Sequence, residues 1–325
     1  MTVRIGVIGC GTVARRQHLP AFKADAASVV VAFASRSLAS AEAAASDYGS
    51  GRVFASWHEL IDSDVDAVDV CSPNALHAEQ VIAAVRAGKH VLVEKPMACT
   101  VAEADAMIAA AGDAGVVLQV AHNMRYIPAL VAARAEVATG AIGTIVGVRA
   151  AFGHSGPHDW APEAAWFHDP ALSGGGPLID LGIHAIDFVR YVTQYDIAEV
   201  SAMLYGDGPV EDTAHVLMRF VSGATGSLQS SWIIRPAPDL GLTLFGTDGI
   251  LHFDMRTPLH VRRADEDKRV VELPEVAGNP YADFVRAIGG DADTPQATGS
   301  DGRAALAVVC AAYESARTGR VVAVA

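Results

Sequence analysis

Apolar residues in the first third of the chain fall in short continuous runs between Ala-rich stretches of helical period, whereas beyond residue 145 they tend to alternate with polar ones. The runs at 3–8, 28–34, 67–71, 90–94 and 116–121 predict five strands. Residues 12–23, 38–48, 75–87 and 101–114 predict the intervening helices, the first interrupted at Pro20. Strands apolar on both faces and joined by helices form a parallel sheet covered on both sides. An N-terminal α/β domain over residues 1–122 follows.

After Asn123 the period changes. Residues 129–139 predict a helix stopped by Gly140, a second helix is predicted at 177–193, and two more at 281–288 and 302–318. Strand-like runs lie at 146–152, 199–205, 213–221, 226–234, 242–245, 250–253 and 270–273. Turn sequences such as Gly206-Asp207-Gly208, Ser222-Gly223 and Thr247-Asp248-Gly249 divide them. These features predict a second, α+β domain over residues 123–325, built on a large, mostly antiparallel open sheet.

Composition narrows the classes. With 51% hydrophobic and 19% charged residues among 325, the chain has apolar material for two cores and no case for disorder. No apolar run approaches the ~18 residues of a membrane span, and no export signal is legible, so a cytoplasmic protein is expected. A net charge of −13 disfavours binding to nucleic acid or an anionic membrane. Cys10, Cys71, Cys99 and Cys310 lack metal-ligand spacing; they read as small buried hydrophobes, and no metal is expected.

The chemistry begins after the first run, at Gly9-Cys10-Gly11-Thr12-Val13-Ala14. A GxGxxA sequence between a strand and a helix permits a tight turn, a close approach of backbone to a pyrophosphate, and packing of helix on strand. This predicts a nicotinamide dinucleotide on a Rossmann domain, with Gly9, Gly11, Thr12, Val13 and Ala14 around it. Ser35-Arg36-Ser37 stands where an acid would select the unphosphorylated ribose, so NADP is favoured over NAD; Arg36 as a solvated loop residue is the other reading. Ser72, Asn74, His77, Glu94 and Lys95 follow the third and fourth runs, and Asn123, Arg125 and Tyr126 follow the fifth. Such positions, beyond the carboxyl ends of strands, are where this fold places ligands. Asp180 and His184, at i and i+4 on an apolar helix, form either a proton-transfer pair or a satisfied structural pair. Trp160, with His154, His158, Trp166 and His168, lies in a loop placed to cover a substrate.

The GxGxxA turn, Glu94-Lys95-Pro96, and GGGPLIDLGIHAID at 174–187 together resemble the Gfo/Idh/MocA oxidoreductases, named for glucose–fructose oxidoreductase and inositol dehydrogenase. The resemblance covers nearly the whole chain, including SPNALHAEQV at 72–81, WFHDPALSGGG at 166–176 and the closing segment 299–320. It implies a Rossmann domain, an NAD(P)-dependent hydride transfer to or from a sugar, polyol, inositol or related hydroxy or carbonyl compound, and Lys95, Asp180 and His184 as catalytic residues. It implies, further, a homodimer or homotetramer assembled on the open sheet. Relatives of the same family raise two other readings: a glycosidase that recycles tightly held NAD, and a non-catalytic cofactor-dependent sensor.

Overall fold

The computed structural model describes residues 2–235, 239–264, 266–275, 278–290 and 295–325. Packing divides the chain into two compact units: Met1–His122 with Gly278–Arg303, and Asn123–Ala277 with Ala304–Ala325. Residues 278–303, expected in the second domain, therefore belong with the first. The cause is the helix Pro280–Gly289, capped by the Asn279 side chain. Its Tyr281, Phe284 and Val285 enter one apolar core with Ile5, Phe22 and Phe33.

The strands of the first unit are β1 (Val3–Ile8), β2 (Ser28–Ala34), β3 (Arg52–Phe54), β4 (Ala67–Val70), β5 (His90–Val93) and β6 (Leu118–Val120). They pair in parallel in the order β3-β2-β1-β4-β5-β6, the order of the dinucleotide-binding doubly wound fold. β3 went unseen in the sequence because three residues show no period. Pro20 does not interrupt the first helix. Residues Ala14–His18 form a π-helical turn, and the α-helix Leu19–Ala24 starts just before Pro20. The helical path runs unbroken from residue 12 to 24, and the change from π to α bonding falls just before the proline, whose ring removes one N–H from the ladder.

The second unit holds a nine-stranded sheet: β7 (Ile145–Gly153), β8 (Ile197–Tyr205), β9 (Thr213–Phe220), β10 (Thr225–Ser231), β11 (Asp239–Gly246), β12 (Gly249–Asp254), β13 (His260–Arg263), β14 (Arg269–Val270) and β15 (Val322–Ala323). The order is β14-β13-β12-β11-β7-β10-β9-β8-β15, and only β7 and β10 run parallel. Val148, Ala150, Val216, Met218 and Leu228 are buried on one face, while Arg149, His215, Leu217 and Arg219 are exposed on the other, as a period of two requires. Among the described residues no helix is long and apolar enough to cross a membrane.

Candidate active site

At the carboxyl end of β1 the chain turns at Gly9 with φ +91°. A Cβ there would stand 2.5 Å from the carbonyl carbon of Cys71 and 2.6 Å from the Ser72 nitrogen, so only glycine lets the turn lie against the loop after β4. Gly11 differs. Among the described residues, its chain neighbours aside, nothing lies within 4 Å of where its Cβ would be, and Ala14 is fully buried. The open position adjoins the helical start at Thr12 and Val13, and a helix N-terminus facing open space suits an anion such as a pyrophosphate. At the end of β2, Ser35 is half-buried and Arg36 exposed, with Ser37 capping the next helix.

The loops after β4 and β5 are tied to each other. His77 is wholly buried, with Nδ1 2.8 Å from the Pro96 carbonyl and Nε2 2.8 Å from the Ser72 carbonyl. Expected as a cofactor contact, His77 instead braces the loop from beneath. Burial lowers its pKa, against the opposing pull of the two carbonyls. The Ser72 hydroxyl donates to Gln80 Oε1 at 2.6 Å, and Asn74 is buried beside it in sequence. Glu94 and Lys95 are half-buried at the end of β5.

Sequence reasoning left out His18 and Asp69, which are fully buried in this unit. His18 directs Nδ1 at both oxygens of Asp69, 3.0 Å from each, and Nε2 at Glu94 Oε1, also at 3.0 Å. A carboxylate only accepts, so each ring nitrogen facing one carries a proton. Burial pulls the His18 pKa down, but the charge of Asp69, aided by Cys71 and Tyr281, outweighs it and holds the ring well above the ordinary imidazole value. Burial likewise works to raise Glu94, and the hydrogen bond and charge of His18 overcome it, leaving the carboxyl below its usual range. His18, Asp69 and Cys71 gather within 4.8 Å of one another. Cys71 Sγ, however, lies 3.3 Å from Nδ1 and 3.9 Å from Nε2. A sulfur near both nitrogens sits over the ring, away from the Nδ1 lone-pair line, so the three groups do not surround a common ion position. Burial and Asp69 push the Cys71 thiol well up.

In the second unit, Gly174-Gly175-Gly176 leads into a π-helical turn, Leu178–Gly182, followed by the α-helix Ile183–Thr193. The regular helix expected over 177–193 thus opens with a π turn that carries Asp180, and π turns recur at functional sites. Asp180 and His184 are each 5% exposed. Asp180 Oδ2 accepts the Trp232 indole N–H at 3.0 Å, and His184 meets the edge of the Phe152 ring. Here the glycines make room for the protein itself. A Cβ at Gly175 would stand 2.0 Å from the Tyr313 hydroxyl, and one at Gly176 2.2 Å from the Glu211 carbonyl oxygen. Glu211 accepts the N–H groups of Gly176 and Leu178, both at 3.0 Å, and the Tyr313 hydroxyl at 2.8 Å. Its carboxylate caps the segment that presents Asp180. Burial and the Glu211 charge push the Tyr313 phenol well up. Neither Glu211 nor Trp232 was legible as a site residue.

Arg125, expected against substrate, is 4% exposed; its guanidinium donates to both Asp187 oxygens at 2.6–3.1 Å. With its charge committed to Asp187, Arg125 braces the turn Asn123–Tyr126 against the helix Ile183–Thr193. On that turn Asn123 is half-buried and Tyr126 buried. Trp160 packs in an aromatic group with Phe167, Trp166, Phe152 and Trp232. His154 lies against Trp160 and His168 against Trp232, while His158 is exposed beside Asp159.

Residues 3–122 match the model of an oxidoreductase family with an NAD-binding Rossmann fold, and residues 130–252 the GFO/IDH/MocA C-terminal domain. A 1,5-anhydro-D-fructose reductase of Ensifer adhaerens is 35% identical over 330 residues, covering 98% of this chain and 97% of its own. A levoglucosan dehydrogenase solved with NADH and levoglucosan superposes with a TM-score of 0.87 at 28% identity over 100% of both chains. An aldose-aldose oxidoreductase of Caulobacter crescentus, complexed with glycerol, gives 0.88 at 28% identity over 99% of this chain and 100% of that one.

Proposed function

The chain belongs to the Gfo/Idh/MocA family of NAD-binding oxidoreductases, and from that premise we propose that it transfers a hydride between a nicotinamide dinucleotide and a sugar, polyol, inositol or related hydroxy or carbonyl compound. One observation carries the reading: the open Gly11 position and Lys95 stand at the carboxyl ends of β1 and β5 in one parallel sheet. When bound, the dinucleotide supplies or takes up the hydride at nicotinamide C4. Gly9, Gly11, Thr12, Val13 and Ala14 shape its pyrophosphate site, with Ser72, Asn74 and Glu94 on the neighbouring strand ends. Arg36 favours NADP over NAD, because a guanidinium pairs with a 2′-phosphate and its sequence neighbours Ser35 and Ser37 carry no charge to repel one.

In the oxidation direction His184 takes the hydroxyl proton on an imidazole nitrogen. Lys95 Nζ donates to the same oxygen and steadies its developing charge. Asp180, one oxygen of which holds the Trp232 indole N–H, orients the histidine or a neighbouring substrate hydroxyl. Asn123, Tyr126 and Trp160 belong to the substrate side, and Arg125 supports them from behind. Cofactor binding falls to the first unit, substrate binding and assembly to the second. The exposed sheet face with Met203, Tyr205 and Leu217 suits a homodimer or homotetramer. Four cysteines outside any disulfide suit the cytoplasm.

The test is nicotinamide absorbance with NAD(H) and NADP(H), each against inositols, aldoses and sugar-derived ketones. Turnover on one of them is expected. Silence across the panel, with cofactor retained through purification, would favour a recycled-cofactor hydrolase.

A further inference from the structure

The buried row Asp69–His18–Glu94 ends at the main chain of Lys95: Glu94 Oε1 accepts from His18 Nε2 at 3.0 Å, and Oε2 accepts the Lys95 N–H at 3.1 Å. We propose that His18 is a positioning residue for Lys95, acting through Glu94, and that it joins the helix behind the glycine turn to the reacting edge of the sheet. The proposal rests on the role given to Lys95 above.

Three features set His18 in this place. The π-helical turn Ala14–His18 follows the GxGxxA sequence directly and buries His18 while Arg15, Arg16 and Gln17 stay exposed. Asp69, fully buried in β4, holds Nδ1 through both of its oxygens, which fixes the plane of the ring. The Tyr281 ring lies 4.5 Å from the imidazole, centroid to centroid, and closes the remaining side. The groups facing His18 are thus Asp69 and Cys71 from β4 and its loop, Glu94 from the end of β5, and Tyr281 from the helix Pro280–Gly289; Lys95 and His77 lie beyond Glu94. A neutral imidazole has one N–H and satisfies one carboxylate; the imidazolium satisfies both. With His18 in place, one Glu94 oxygen is held by the ring and the other holds the backbone from which Lys95 projects. Without it, a poorly solvated carboxylate beside Lys95 loses its charge partner and turns to the lysine ammonium, drawing it from the substrate oxygen.

The test uses the full chain with His18→Gln, Glu94→Gln, the double variant and Lys95→Ala, together with nitrogen NMR of the wild-type histidine rings. His18→Gln should lower kcat about tenfold or more, the scale of one lost charge-assisted hydrogen bond. Its cofactor Kd should stay within about twofold of wild type, and adding Glu94→Gln should restore part of the lost kcat, because an amide has no charge with which to draw the lysine away. The NMR signals of His18 should show both ring nitrogens protonated at neutral pH. A neutral His18 tautomer, or a folded His18→Gln variant with wild-type kcat, overturns the proposal, and the NMR result decides even where a variant fails to fold. Near-wild-type turnover in Lys95→Ala would instead overturn the role of the lysine on which the proposal stands.

Discussion

The two glycine-rich segments use the same residue for opposite ends. At Gly9 and Gly11 the first glycine lets β1 turn against the Cys71–Ser72 backbone, and the second leaves its surroundings empty. At Gly175 and Gly176 the space a side chain would fill belongs to Tyr313 and Glu211. One cluster leaves open space; the other makes room for Tyr313 and for Glu211, whose carboxylate holds the helical turn beneath Asp180. Each is followed by a π-helical turn, Ala14–His18 or Leu178–Gly182, that carries a buried titratable side chain. Glycine alone therefore does not announce a ligand. What stands against the missing Cβ does.

The largest expected effects test whether both clusters serve one reaction. His184→Ala should lower turnover by roughly 10²–10⁴-fold as a lost general base, and Lys95→Ala by about 10²–10³-fold as a lost oxyanion partner. Initial rates on folded variants check both. If only one of the two responds, the residue that does not respond has no part in the chemistry.

Matched glycine substitutions sharpen the contrast. Gly175→Ala should cost about 1–3 kcal/mol of stability, because it forces a methyl group into the Tyr313 hydroxyl. Gly11→Ala should leave thermal unfolding near wild type and weaken cofactor binding. Equal melting losses in the two variants would erase the distinction. A smaller effect is expected at Arg36, where alanine should reduce kcat/KM for NADPH by about tenfold, the value of one charge-assisted hydrogen bond, and leave NADH unchanged.

The smallest effect is in pH. His18 holds its proton more tightly when folded, so its stabilisation is complete below the unfolded value of about 6.5 and is lost as pH rises through the folded one. Glu94 is depressed when folded; its stabilisation is present above about 4.3 and is lost as pH falls through its folded value. Thermal midpoints should be highest between these limits. The alkaline decline should be shallower in His18→Gln.

Sequence legibility follows the range of the contacts. The parallel sheet and the glycine turn could be read because each is a local pattern, and Lys95, Asp180 and His184 were singled out from local motifs in the same way. His18 lies 51 residues from Asp69 and 76 from Glu94, and Trp232 lies 52 from Asp180. No period or spacing links such residues. Asp69 carried a usable signal nonetheless: a lone acid in the apolar strand Ala67–Val70 must find a buried partner. Arg125 and His77, expected as ligand contacts, also tie their loops to neighbouring elements, which no local pattern announces. Strand ends hold braces as well as ligand contacts, and only the packing around them tells which.

The most direct test is isotopic: incubate the enzyme with a nicotinamide dinucleotide deuterated at C4 and a carbonyl substrate, and weigh the product. The account predicts one deuterium on the carbon that becomes the hydroxyl-bearing centre, with none entering from heavy water at that position. Turnover that yields product without that label would contradict hydride transfer as the reaction of this protein.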